Sequence, residues 1–211
     1  MQELSPISLV VEGDTDEFVI SALLDSLGIS AARVYGKKGK AYIVERIDKY
    51  NRAAEYAPWL VVVDLDNDAL CAPDYVQTLL PEQSAGMIFR VAVRSIEAWL
   101  LADYQNLSRY LGISEDLFPR APDTEENPKR TLVNLARRSN YTAIREDLVP
   151  RQGSGVAVGP GYLSRIAEFL RHQTYRWSPE PASMRSESLR SAIDALNGWR
   201  AYLRNYMGDE E

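Results

Sequence analysis

Four short apolar runs mark the first half of the chain, and helical periodicity fills the intervals between them. Ile7 to Val11 reads as a buried strand, with Gly13 after it as the break that lets the chain turn. Asp14-Thr-Asp-Glu17 then starts a helix in the manner of a capping box, Asp14 accepting from the first free amides while Glu17 reaches back. Phe18, Val19, Ala22, Leu23 and Leu27 fall on one face of that helix, and Gly28 stops it. Ala31 to Tyr35 is a second, weaker strand ending in the basic turn GKKGK. Ala41 to Tyr56 reads as one helix with Ile43, Val44 and Ile47 inward. Trp59 to Val63 is the clearest strand, apolar throughout, and it ends abruptly in Asp64-Leu-Asp-Asn-Asp68. Met87 to Val93 makes the fourth strand, followed by a helix from Ser95 through Asp103.

Continuous apolar strands alternating with helices belong to parallel sheets covered on both faces. The expected fold is therefore α/β, a small four-stranded, mainly parallel sheet flanked by helices. The strand pattern stops after Asp103. Pro119, Pro122 and Pro128 punctuate a connecting segment, and Lys129 to Arg138, Gly161 to Arg171 and Met184 to Tyr206 read as helices, so that residues 1–110 form the sheet domain and 111–211 a helical C-terminal lobe packed on it. The segment RQGSGVAVGPGY, residues 151–162, carries four glycines and suggests a mobile or ligand-approaching loop. The closing Asp209-Glu-Glu211 reads as a solvated tail.

Composition narrows the class. With 211 residues, 45% hydrophobic and 26% charged, the chain is globular. Its single cysteine, Cys71, and single histidine, His172, exclude an intramolecular disulfide and a Cys/His zinc site. A reducing, cytoplasmic setting fits. The opening MQELSPISLVVEG has no basic region followed by a long apolar run, so neither export nor membrane insertion is expected. The net charge of −6 is unevenly spread: acids outnumber bases over residues 1–110, whereas arginines outnumber acids two to one between 151 and 206.

In a parallel α/β sheet, ligands bind beyond the carboxyl ends of the strands. Glu12 ends the first strand, Asp64 and Asp66 follow the third, and Glu97 follows the fourth, so these four acids are expected on one rim, with Asp16 one helical turn past Glu12. So many carboxylates in one place repel unless protons or cations intervene. Oxygen donors without histidine or thiolate suit a hard ion, Mg²⁺ or Mn²⁺, which takes one or two carboxylates, water and substrate phosphate oxygens. Such ions support hydrolysis of a phosphodiester. Lys37, Lys38 and Lys40 in the GKKGK turn, and Arg94 beyond the fourth strand, place positive charge where a substrate phosphate would lie. Arg90 reads as a structural partner of the acidic rim. Arg151, Arg165, Arg171, Arg176 and Arg185, interleaved with Tyr162, Tyr175 and Trp177, offer charge and stacking surface for a nucleic-acid strand, although the same aromatics at helical spacing suit a core. Asp68 reads as a turn residue, Asp103 as a helix end or an arginine contact, and His172 as a surface or capping residue.

The strand ending in Glu-Gly, VVEG, and the later strand ending in Asp-x-Asp, DLD, resemble the TOPRIM domain of topoisomerases, primases and OLD-family nucleases. EGDTD resembles the OLD-type variant, and RVAVRSIEAWLLAD, ENPKRTL and the basic helical end resemble compact bacterial OLD-like TOPRIM proteins over most of the chain. The resemblance implies a metal-dependent nuclease, or nuclease subunit, acting on DNA or RNA, tied to defence against phage and working with a separate ABC-type ATPase. It implies that Glu12, Asp16, Asp64 and Asp66 are metal ligands and Glu97 a fifth acid. GKKGK lacks the spacing and the Ser/Thr of a Walker loop, so an ATPase would be a separate partner. No motif aligns with the catalytic lysine of larger OLD nucleases. Two other readings stay open: a catalytically silent TOPRIM binding subunit, and a haloacid-dehalogenase-like phosphatase with Asp64 as nucleophile and Asp66 as acid/base.

Overall fold

A computed structural model describes residues 5–208; the Asp209–Glu211 tail lies outside them. Strands β1 (Ile7–Val11), β2 (Ala31–Gly36), β3 (Trp59–Asp64) and β4 (Met87–Ala92) form one all-parallel sheet in the order β2-β1-β3-β4. Helix α1 (Asp14–Ser26) crosses from β1 to β2, α2 (Lys40–Val44) and α3 (Ile47–Ala53) cross back to β3, and α4 (Ala72–Leu79) joins β3 to β4.

Successive strand residues face opposite layers, and the two cores divide accordingly. Ile7, Leu9, Val11, Leu60, Val62, Ile88 and Ala92 pack with Val19, Ile20, Leu23 and Leu24 of α1. Val10, Val61, Val63, Met87, Phe89 and Val91 pack with Ile43, Ile47, Tyr75 and Leu80 on the other face. The first crossover therefore lies on one side and the later ones on the other, as right-handed connections produce when strand order reverses. That reversal falls between β1 and β3, the place where a crevice opens at the strand ends.

The α1 face also carries the rest of the chain: α5 (Glu97–Ala102), α6 (Tyr104–Leu111), α7 (Pro128–Ala136), α8 (Thr142–Leu148), α9 (Tyr162–Arg171), α10 (Pro179–Ser183) and α11 (Glu187–Gly208). Their apolar side chains join the same core as β1 and α1. Helix α5 is buried along its whole length and acts as the post. Trp99, with no exposed surface, donates from Nε1 to Ser188 Oγ at 2.8 Å and receives Trp177 Nε1 on its carbonyl at 3.1 Å. Among the described residues no helix is long and apolar enough to cross a membrane.

Several elements differ from the sequence reading. The helix expected over 41–56 is broken at Glu45 and Arg46, because Arg46 donates from Nη1 to the Tyr42 carbonyl and stacks on the Tyr42 ring while its own amide bonds back to Ile43. Helix α1 is capped one residue earlier than expected: the Asp16 side chain, not Asp14 and Glu17, closes the first turn by accepting from the Gly13 amide at 3.0 Å. Helices α4, α6, α8 and α10 were not anticipated.

Candidate functional site

The acids at the strand ends are set by backbone first. β1 and β3 are neighbours, and Glu12 Oε1 accepts the Asp64 amide at 2.8 Å, so the side chain ending one strand is fixed by the peptide ending the other. Asp64 Oδ1 in turn accepts the Ile96 amide at 2.9 Å, and Asp16 Oδ2 accepts that of Gly13. Each of these three carboxylates thus spends one oxygen on a backbone N–H. Among the described residues the second oxygen of each has no hydrogen bond and is not sealed from solvent.

Glu97 behaves differently. It is fully buried; Oε2 accepts from Ser95 Oγ at 2.7 Å, and Oε1 accepts from Tyr162 Oη at 3.1 Å with Lys129 Nζ at 3.3 Å. The Asn127 side chain caps α7 by accepting the Arg130 amide, and Pro128 takes the first helical turn, where its missing N–H costs nothing. Lys129 therefore leaves the first turn of α7 toward Glu97. Tyr162 opens α9 after the glycine-rich segment. A Cβ on Gly159 would lie 2.3 Å from the Asp147 carbonyl, and one on Gly161 would strike the Asp147 side chain. Those two glycines permit a close approach to the end of α8 that delivers Tyr162 to the acids.

The electrostatics follow from burial and mutual repulsion. Burial, with Glu97 and Glu12 nearby, pushes the Asp16 carboxyl up to about 7. Asp64 is raised well above the ordinary range by burial and then by Asp16, Glu97 and Glu12. Glu12 is raised by burial, which outweighs the Asp64 amide and Lys40. Burial works against the charge on Lys129, but Glu97, Asp64 and Asp16 more than offset it and raise its pKa. Tyr162 is raised well above its usual value, by burial first and Glu97 second, so its proton stays on.

Asp66 departs from the expected cluster. It sits at φ +48° in the exposed turn after β3, and its carboxylate meets Lys40 Nζ at 2.6 Å, which also holds Asp68 at 2.7 Å. Glu12 still feels Asp66, Asp68 and Lys40, and so stands between an inner group (Asp16, Asp64, Glu97) and this outer one. The residues considered for a substrate phosphate have protein partners instead. Lys37 bridges Asp14 and Glu17, Lys38 lies over Tyr42, and Arg94 Nη1 ties the Asp66 carbonyl and Asn67 Oδ1 to the exit of β4. Arg90, expected as a partner of the rim, makes no side-chain hydrogen bond or ion pair among the described residues, and its Nε is a buried donor without an acceptor there. It stands on β4, an edge strand separated from β1 by β3, and lines a cleft with Asp123, Arg185 and Glu187.

Of the aromatic and arginine set, Tyr162 and Trp177 are core, Arg165 is held by Asp147 and Glu168, and Arg185 stacks on Tyr104. Asp103 caps α6 and accepts the Ser178 amide at 2.7 Å. His172 Nδ1 accepts from the amides of Thr174 and Tyr175. The sequence reading gave Tyr162 as stacking or core surface and Lys129 and Ser95 only as helix starts, none of them as a partner of Glu97; Asn127-Pro128 announces a helix start, but nothing local says which strand end that helix faces.

The donor set suits a hard divalent cation: three carboxylates pinned by one oxygen each, with oxygen-only chemistry. Among the described residues no group of three or more His, Cys, Asp and Glu side chains is closed up so that it could hold a metal ion by itself. Mg²⁺ does not require such a group, because it keeps waters and takes one or two carboxylates along with phosphate oxygens. Comparison with protein-family models, curated proteins and solved structures finds no match to this chain.

Proposed function

We propose that the crevice at the ends of β1 and β3 is a Mg²⁺- or Mn²⁺-dependent phosphodiesterase site that cuts nucleic acid. The observation that carries this reading is the pinning of Glu12, Asp16 and Asp64. Each is oriented by a backbone amide and left with one uncommitted oxygen, in a setting where repulsion favours uptake of a proton or a cation. Bound there, the cation supplies charge neutralisation and a more acidic water for attack on phosphorus. Glu12 and Asp64 hold the strand ends in register and present their free oxygens to the crevice. Tyr162 and Ser95 keep Glu97 oriented. Lys129, half exposed beside the buried acids, offers a positive charge where a phosphate entering the crevice accumulates negative charge. The OLD-like motifs favour a nucleic-acid backbone over a small phosphate ester, and a separate ATPase subunit as partner.

The test is cleavage of end-labelled single- and double-stranded DNA and RNA by the purified chain in Mg²⁺, Mn²⁺ or EDTA. Divalent-dependent cutting is expected, reduced by at least roughly a hundredfold in Glu12→Gln and in Asp64→Asn. Cutting indifferent to both substitutions, or none on any of the four substrates with either metal, overturns the reading.

A further inference from the structure

We propose that the exposed face of α7, with the end of α8 and the start of the glycine-rich segment, holds the sugar–phosphate backbone of the strand that enters the acidic crevice. The inference rests on the phosphodiesterase reading of that crevice and names the surface that guides its substrate. Residues 127–161 carry six Lys and Arg against two Asp and Glu, a net +4 within a chain of −6, so the rest of the chain stands at −10. A polyanion is repelled by that remainder and drawn to this segment.

Helix geometry sets the row. Arg130, Asn134 and Arg137 occupy i, i+4 and i+7 of α7 and its C-cap and are exposed, while Leu132, Val133, Leu135 and Ala136 turn into the core. The two arginine positions therefore share one face, about 10 Å apart along the axis. Lys129, next to Arg130, reaches Glu97 at one end of the row. At the other end Arg137 shares an open concavity with Arg145, Arg151 and Pro160. Arg130, Arg137 and Arg151 make no side-chain hydrogen bond or ion pair among the described residues. Arg145 is held across the α7–α8 turn by the Ser139 carbonyl and by Thr142 Oγ1 at 2.8 Å. The concavity's two acids do not cancel these charges, because Asp147 is taken by Arg165 at 2.8 Å and Glu146 pairs with none of them.

The concavity is also tied to the crevice. The amides of Gly159 and Gly161 donate to the Leu148 and Asp147 carbonyls, both at 2.9 Å, so the segment that leaves α8 with Arg151 returns to the same place. Pro160 lines the concavity, and Tyr162 two residues later donates to Glu97 Oε1. Those two residues span at most about 7 Å of backbone. A small anion meets one or two of these guanidinium groups. A nucleic-acid strand, with a phosphate about every 3.4 Å along its axis, places roughly three beside the row. Guanidinium-to-phosphate contacts of this kind position a strand without reading its bases.

The experiment is fluorescence anisotropy of labelled probes about 30 nucleotides long, as single-stranded DNA, single-stranded RNA and duplex DNA, in EDTA at roughly 50 to 200 mM KCl. They are titrated with the native chain, with Arg130→Gln/Arg137→Gln/Arg151→Gln, and with Arg33→Gln/Lys49→Gln/Arg52→Gln, which removes the same charge from exposed positions on β2 and α3. None of the six side chains has a partner among the described residues, so both variants should fold. The native chain is expected to bind at least one probe with Kd below about 100 μM at the lowest salt. The first variant should bind roughly tenfold or more weakly, with a salt slope shallower by about 2 to 3, and the second should stay within about twofold of native. The probe that binds identifies the form of the strand. No binding of any probe, equal losses in the two variants, or an unaltered salt slope in the first overturns the proposal. Because no metal is present, row-dependent binding by a chain that cuts nothing in Mg²⁺ or Mn²⁺ upholds this surface and overturns the crevice reading alone.

Discussion

Glu12 and Asp64, 52 positions apart, are joined by a hydrogen bond from the Asp64 amide to Glu12 Oε1 at 2.8 Å. The bond spans the junction at which the strand order reverses, so the contact that ties the end of β1 to the end of β3 also fixes the Glu12 carboxylate there, while the Ile96 amide fixes that of Asp64.

That dual role separates charge from structure at Glu12. Glutamine retains a carbonyl oxygen for the Asp64 amide and should leave the urea midpoint nearly unchanged while cleavage is lost. Alanine strands a partly buried donor and should cost about 1–2 kcal/mol in addition, readable in the same denaturation curves.

Glu97 should show the reverse balance of stability and function. Its fully buried carboxylate is surrounded by other acids, with one half-exposed lysine as counter-charge. Glu97→Gln keeps a partner for both Tyr162 and Ser95 and removes part of the repulsion. The variant is expected to melt at or above the native temperature in EDTA, and to lose divalent-dependent cleavage. A variant that melts well below the native protein contradicts the repulsion argument.

Stability should depend on pH through Asp16. Its carboxyl lies at about 7 in the folded chain against 3.8 as the ordinary value, so between these pH values the folded state holds a proton that the unfolded state has released. Stability from this group is complete below about pH 4 and is lost as pH rises through 7, by on the order of 2–4 kcal/mol. Asp64 and Glu12, raised in the same sense, add to the trend. Urea midpoints measured in EDTA from pH 4 to 8 should fall more steeply for the native chain than for Asp16→Asn, and Mg²⁺ at pH 8 should restore much of the native chain's loss.

The sheet and most of the rim were legible in the sequence because both rest on local patterns: unbroken apolar strands, and acids at the residues where those strands stop. Asp16 was found although its capping role was assigned to its neighbours. What escaped depends on long-range packing. Lys129 and Tyr162 reach Glu97 from helices 32 and 65 positions further along, with nothing in their neighbourhood to show where those helices dock. Asp66 carried the right motif but was turned outward by a left-handed backbone and by Lys40. Arg90 shows the same limit from the other side, since a charge in the sequence does not reveal that no partner meets its Nε among the described residues.

The turn that closes over the end of β1 is a separate point of weakness. Gly36 sits at φ +86°, where a Cβ would lie 2.4 Å from the Val11 carbonyl, and that carbonyl and Glu12's accept the amides of Lys37 and Gly39. Gly36→Ala should destabilise the chain by more than about 1 kcal/mol. Because it displaces the backbone bearing Glu12, it should also weaken cleavage more than an equally destabilising substitution in the α11 core.

The central claim is that Glu12, Asp16 and Asp64 hold a divalent cation at the β1–β3 junction, and anomalous diffraction from crystals grown in Mn²⁺ tests it most directly. The account predicts a peak in the crevice, about 2.0–2.3 Å from the free oxygens of at least two of these three carboxylates, and its disappearance in Asp64→Asn. A crevice without a peak, or Mn²⁺ bound only at the Lys40–Asp66–Asp68 turn or elsewhere on the surface, would contradict it.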